Sequence, residues 1–177
     1  MFAGHIGVAL AVGRVERRVN VGVFVAATLL LDAILWACVL LGWESLVIPA
    51  NFSSTHQPEF TFPYSHGLVG SLCWSVLAAF AGFAGYGSLG PERVRNAALV
   101  AAVVFSHWLL DALVHQAELP LMGQSSLKVG LGLWHNNMPV ALVAESALLL
   151  LGLGLFLPGN DLSRSKSRAL VALCLVI

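Results

Sequence analysis

The chain has 177 residues, 58% hydrophobic and 10% charged, with zero formal net charge and a mean hydropathy of +0.86. Soluble domains carry about 25% charged residues, so lipid is the solvent this composition calls for, and a water-soluble enzyme is excluded. No basic stripe offers a nucleic-acid footprint. Cys38, Cys73 and Cys174 sit apart in apolar runs, which excludes a disulfide framework and a CxxC metal pair.

In chain order, the first apolar run is Phe2–Val12, too short to cross a bilayer and read as a half-helix. A full crossing takes about 20 apolar residues, and four segments qualify: Val21–Gly42, His66–Gly87, Val94–His115 and Pro139–Leu157. A last run, Ala169–Ile177, is expected to be the start of a further span cut by the chain end. The fold class expected is an all-α polytopic membrane helix bundle, residues 1–177 forming one integral membrane domain. Asn136 and Asn137 ahead of Pro139 are candidate caps for the last full span. The proline-bearing stretch 43–65 reads as an irregular loop. Gly67, Gly70, Gly82 and Gly85 are expected to let helices approach closely.

Basic residues set the sidedness. Arg14, Arg17 and Arg18, then Arg93 and Arg95, then Arg164, Lys166 and Arg168 occupy alternate loops, leaving only Lys128 on the other side. The loops with Arg14, Arg93 and Arg164 are therefore expected to be cytoplasmic. Trp43, Tyr64 and Trp134 fall at the outer ends of their segments, where amphipathic rings anchor at headgroup depth.

With that topology, His5, Asp32, His66, His107 and Asp111 reach overlapping depths. His107, Asp111 and His115 recur every four residues on one helical face. Ionisable groups inside a membrane are costly and mark sites. Three imidazoles and two carboxylates suit a divalent metal, zinc first, with manganese or iron as alternatives. An ion shared among them offsets the cost of burying the carboxylates singly. His115 is either an outer member of the set or an interfacial residue. Glu145, a few residues into the last full span, is the candidate general base, or else a neutral acid bonded to a neighbouring helix. His135 is expected to be exposed, and His56 is a loop residue without an evident partner.

Four stretches, Gly4-His5-Ile6-Gly7-Val8, Leu29-Leu30-Leu31-Asp32-Ala33, Tyr64-Ser65-His66-Gly67-Leu68 and Ser106-His107-Trp108-Leu109-Leu110-Asp111, occur in an order that resembles the membrane-bound metal-dependent hydrolases, including the inner-membrane hydrolase of the LexA regulon. The resemblance covers roughly residues 1–118. It implies a bacterial inner-membrane enzyme using metal-activated water, distantly like the all-α zinc phospholipases C. The chain departs from that family at Asp32-Ala33-Ile34, which lacks a second carboxylate, and at Ser65-His66-Gly67, where Thr-His-Ser is frequent. The expected partners are the lipid bilayer and a lipid or phosphoester substrate. The competing reading is a non-catalytic subunit docked to a membrane complex, with its His and Asp residues structural. Haem ligation by His66 and His107 would leave Asp32 and Asp111 without a role, and an ion carrier would call for paired broken helices.

Overall fold

Long uncharged runs of Leu, Val and Ala satisfy their backbone polar groups internally only as helices. The structure, a computed structural model describing residues 1–55, 57–85, 91–160 and 162–176, is accordingly helical apart from two short strand pairs. His56, Tyr86, Gly87 and Ile177 lie outside the described residues.

Helix α1 (Phe2–Val15) is followed by α2 (Val21–Thr28) and α3 (Leu30–Leu40), and then by α5 (Leu68–Gly85) after a short α4 (Phe52–Thr55). Next come α6 (Pro91–Val114), a single turn α7 (Leu133–Asn136), α8 (Met138–Phe156) and α9 (Arg164–Val176). Two of these, α6 with 24 residues and α8 with 19, are long and apolar enough to cross a membrane. The bent pair α2–α3 passes the same test if taken as one span, whereas α1 and the apolar part of α5, Leu68–Ala84, are shorter. Four uniform spans are thus more than the described helices supply by length and composition alone. Asn137 caps α8 by accepting from the Val140 amide, and Pro139 lies in its first turn, as expected.

Two apolar clusters bind the helices together. Phe24, Leu31 and Leu35 of α2–α3 pack on Val100, Val103, Val104 and Trp108 of α6. Ile6 and Leu10 of α1 pack on Leu149, Leu153 and Phe156 of α8 and on Cys174 of α9. The α1–α8 crossing is close: a Cβ on Gly152 would lie 2.0 Å from the Gly7 carbonyl oxygen. Large apolar side chains such as Val76, Leu77 and Phe80 on α5, and Leu142, Val143 and Leu150 on α8, remain exposed. A protein bathed in water would not leave such continuous patches uncovered.

The 43–65 stretch is more ordered than its prolines suggest. Strands β1 (Ser45–Val47) and β2 (Glu59–Thr61) pair antiparallel, Leu46 opposite Phe60. A second pair, β3 (Leu119–Pro120) and β4 (Lys128–Val129), follows α6. Burial of Phe62 in the α2–α3–α6 core pins the end of the first hairpin.

Candidate metal centre

The break between α2 and α3 is the first feature that builds the site. No proline or glycine stands at Leu29, yet the helix bends there by 44°. His107 Nδ1 donates to the Thr28 carbonyl at 2.6 Å, and the Thr28 hydroxyl donates to the His5 carbonyl at 3.3 Å. A side chain inserted into a helical ladder is a recognised cause of sharp kinks. The bend starts a new helix and places Asp32 in its first turn, where the helix dipole favours a carboxylate.

The bond to Thr28 also fixes the chemistry of His107. A carbonyl can only accept, so Nδ1 carries the proton and, in the neutral ring, Nε2 keeps its lone pair. That Nε2 lies 3.2 Å from His66 Nε2, 3.2 Å from Asp111 Oδ2 and 3.5 Å from Asp32 Oδ1. His66 Nε2 is in turn 3.5 Å from Asp111 Oδ2 and 3.7 Å from Asp32 Oδ1. Donors about 2.0–2.1 Å from a tetrahedral zinc stand roughly 3.3 Å apart. The five separations fall around that value. His5 joins from the far side of Asp111, its Nε2 3.2 Å from Oδ1 and its ring stacked on His107 with centroids 3.8 Å apart. The Met1 amine also donates to Asp111 Oδ1, at 3.0 Å. His5 Nδ1 is buried with no hydrogen-bond partner among the described residues.

All five residues singled out as ligands therefore come together, and they form two overlapping donor sets: His5, His107 and Asp111, and Asp32, His66 and His107. Burial is unequal. His5, His66, His107 and Asp111 are at most 5% exposed, whereas the Asp32 side chain is 37% exposed. A cavity of about 240 Å³ opens onto the cluster, walled by Phe2, Leu35, Pro58, Phe60, Phe62 and Trp134. His115 closes one edge: its Nδ1 is 2.6 Å from Glu118 Oε1 and its Nε2 3.9 Å from Asp111 Oδ2.

His66 is not the first residue of a span but part of the turn before α5, and that turn is clasped from both sides. Glu44 Oε1 accepts from the amides of Tyr64 and Ser65 at 2.8 and 2.9 Å. Trp74 Nε1 donates to the Tyr64 carbonyl, and the Ser71 hydroxyl to the Ser65 carbonyl. Gly67 and Gly70 give room for this backbone: a Cβ would stand 2.5 Å from the Pro63 oxygen at the first and 2.3 Å from the Tyr64 oxygen at the second. They serve the turn rather than a helix–helix seam. Ser65 Oγ lies 2.8 Å from His66 Nδ1, so both ring nitrogens of His66 are engaged.

Glu145 stands apart from the cluster. Its Oε2 accepts from the Ala3 amide at 3.2 Å and its Oε1 from Trp134 Nε1 at 3.1 Å. In that position it braces α8 against the start of α1 and holds Trp134 at the cavity wall, instead of facing the donors as a base would. Trp134 is correspondingly a lining residue, while Trp43 and Tyr64 are exposed as interfacial anchors would be. His135 is exposed. Glu44 and Thr28 are the contributors that residue patterns did not single out. Glu44 had one legible signal, a carboxylate directly after the uncharged run 33–43.

Compared with family models, curated proteins and solved structures, the chain matches none.

Proposed function

We propose that the protein is a membrane-embedded, metal-dependent hydrolase whose ion is held by His66, His107, Asp32 and Asp111, with His5 supporting Asp111. The observation that carries this reading is the convergence of the His66 and His107 Nε2 atoms with two carboxylate oxygens at 3.2–3.7 Å. Zinc is the preferred ion for such a nitrogen and oxygen set, with manganese or iron as alternatives. When bound, the ion supplies Lewis acidity: it acidifies water and polarises a phosphoryl or acyl oxygen.

The chain's own groups do the rest. Thr28 and Ser65 orient the two imidazoles, as outer partners of metal ligands do. Asp111 anchors the buried side, and Asp32 borders the cavity through which substrate arrives. The aromatic walls favour an apolar substrate, so a lipid ester or lipid phosphoester fits better than a sugar or nucleotide. In this reading the chain is an integral protein of a bacterial inner membrane, with the Arg14, Arg93 and Arg164 loops in the cytoplasm.

The test is metal analysis of protein purified without a histidine tag, joined to release of phosphate or fatty acid from phospholipid micelles. Bound zinc, manganese or iron that is lost in His107→Ala and Asp111→Asn together with turnover supports the proposal. Unchanged metal content in both variants removes it.

A further inference from the structure

A second cavity, of about 330 Å³, lies at the opposite end of α1 from His5. The last turn of α1, the start of α2 and the end of α8 meet there, and Gly13 lets them: a Cβ on it would stand 2.8 Å from Val21 Cγ2. Arg14 and Arg17 line the cavity together with Val19, Phe156 and Leu162 and with Asn20 and Asn160.

The arginines at this end divide into two kinds. Arg95 is committed to Glu16 at 3.1 Å and to the Val15 carbonyl at 3.3 Å, and Arg18 is paired with Glu92. Arg14 and Arg17 are exposed and have no acidic partner among the described residues. Two guanidiniums with no acidic partner among the described residues therefore share a largely apolar cavity at the ends of three apolar helices. A small soluble anion would use the charge and leave the wall idle. An anionic phospholipid uses both, since its phosphate suits guanidinium forks and its glycerol and upper acyl carbons suit Phe156 and Leu162.

We propose that this cavity is a binding site for an anionic phospholipid headgroup, the phosphate held between Arg14 and Arg17. The site is separate from the metal cluster and does not depend on the hydrolase reading.

Native mass spectrometry of the full chain in detergent, titrated with phosphatidylglycerol or phosphatidylcholine, tests it. The wild type should retain phosphatidylglycerol in preference, and Arg14→Gln/Arg17→Gln should weaken that binding about tenfold or more, each surface cation counting severalfold. Arg18→Gln should leave it unchanged. Arg14→Lys/Arg17→Lys should keep the preference, which separates charge loss from misfolding. Equal retention of the two lipids by the wild type, or undiminished phosphatidylglycerol binding by the double glutamine variant, overturns the proposal. Displacement of the lipid from wild type by millimolar inorganic phosphate marks a soluble-anion site and also overturns it.

Discussion

Replacing Gly70 by alanine tests how His66 is held. An ideal Cβ at this position lies 2.3 Å from the Tyr64 carbonyl oxygen and 3.0 Å from its carbon. Ordinary contact begins near 3.4 Å, so the turn must withdraw by about 1 Å. It has little freedom to do so, because Trp74 holds the same carbonyl at 3.0 Å and Glu44 holds the amides of Tyr64 and Ser65 on either side of it. Overpacking of this kind costs about 1–3 kcal/mol, of which the better helix propensity of alanine returns up to about 1 kcal/mol. The net loss of stability is thus modest. The effect on the centre is not, since metal–ligand distances tolerate only about 0.2 Å and His66 is two residues from the displaced carbonyl. Zinc affinity, read by competition with a chromophoric chelator, should fall about 10- to 100-fold, in line with damage to the groups that position a ligand. Gly154→Ala is the control: nothing lies within 4 Å of its Cβ, so zinc binding should be unchanged. Wild-type zinc affinity in Gly70→Ala would refute the account of the turn.

Glu44→Ala leaves the amides of Tyr64 and Ser65 without an acceptor and should lower thermal stability by about 1–3 kcal/mol, whereas Glu44→Gln keeps an oxygen there and should retain most of it. Asp111→Asn removes the buried carboxylate that His5, His66 and His107 share and should cost about 3–5 kcal/mol in a chemical melt. Asp32→Asn, at the more open position, should cost under about 1 kcal/mol while still weakening zinc binding. Excess zinc at about 100 times its dissociation constant should stabilise the wild type by about 2.7 kcal/mol, and a chelator should reverse the shift. An identical melting curve with and without zinc would count against a site of this kind.

Much of the helical architecture was legible because it rests on local properties. The apolar runs of α6 and α8 and the Asn137-Met138-Pro139 start of α8 are written in consecutive residues. The His107/Asp111 pair follows from helical spacing, and both side chains do face the cluster. What escaped depends on contacts distant in sequence. The kink at Leu29 comes from His107, 79 residues beyond Thr28, and no residue at the bend announces it. Depth along a span likewise says nothing of direction: Glu145 is buried, but it points to Ala3 and Trp134. Gly67 and Gly70 carried a true signal of close approach, yet the neighbour was the His66 turn, not another helix.

The unequal burial of the two carboxylates gives the centre a direction. Asp111 is held deep in the protein, its Oδ1 on His5 and the Met1 amine and its Oδ2 beside the His66 and His107 Nε2 atoms in the donor set. Releasing it would strand several buried polar groups, each at a cost of about 1–3 kcal/mol. Asp32 has only the two Nε2 atoms and stands at the cavity, in the first turn of a helix that begins because His107 captured the Thr28 carbonyl. In the proposed hydrolase a donor placed so would shift at low cost when a substrate oxygen enters, while the opposite donors stayed fixed. The interaction that bends α3 away from α2 would thus also determine which ligand of the proposed ion is free to yield.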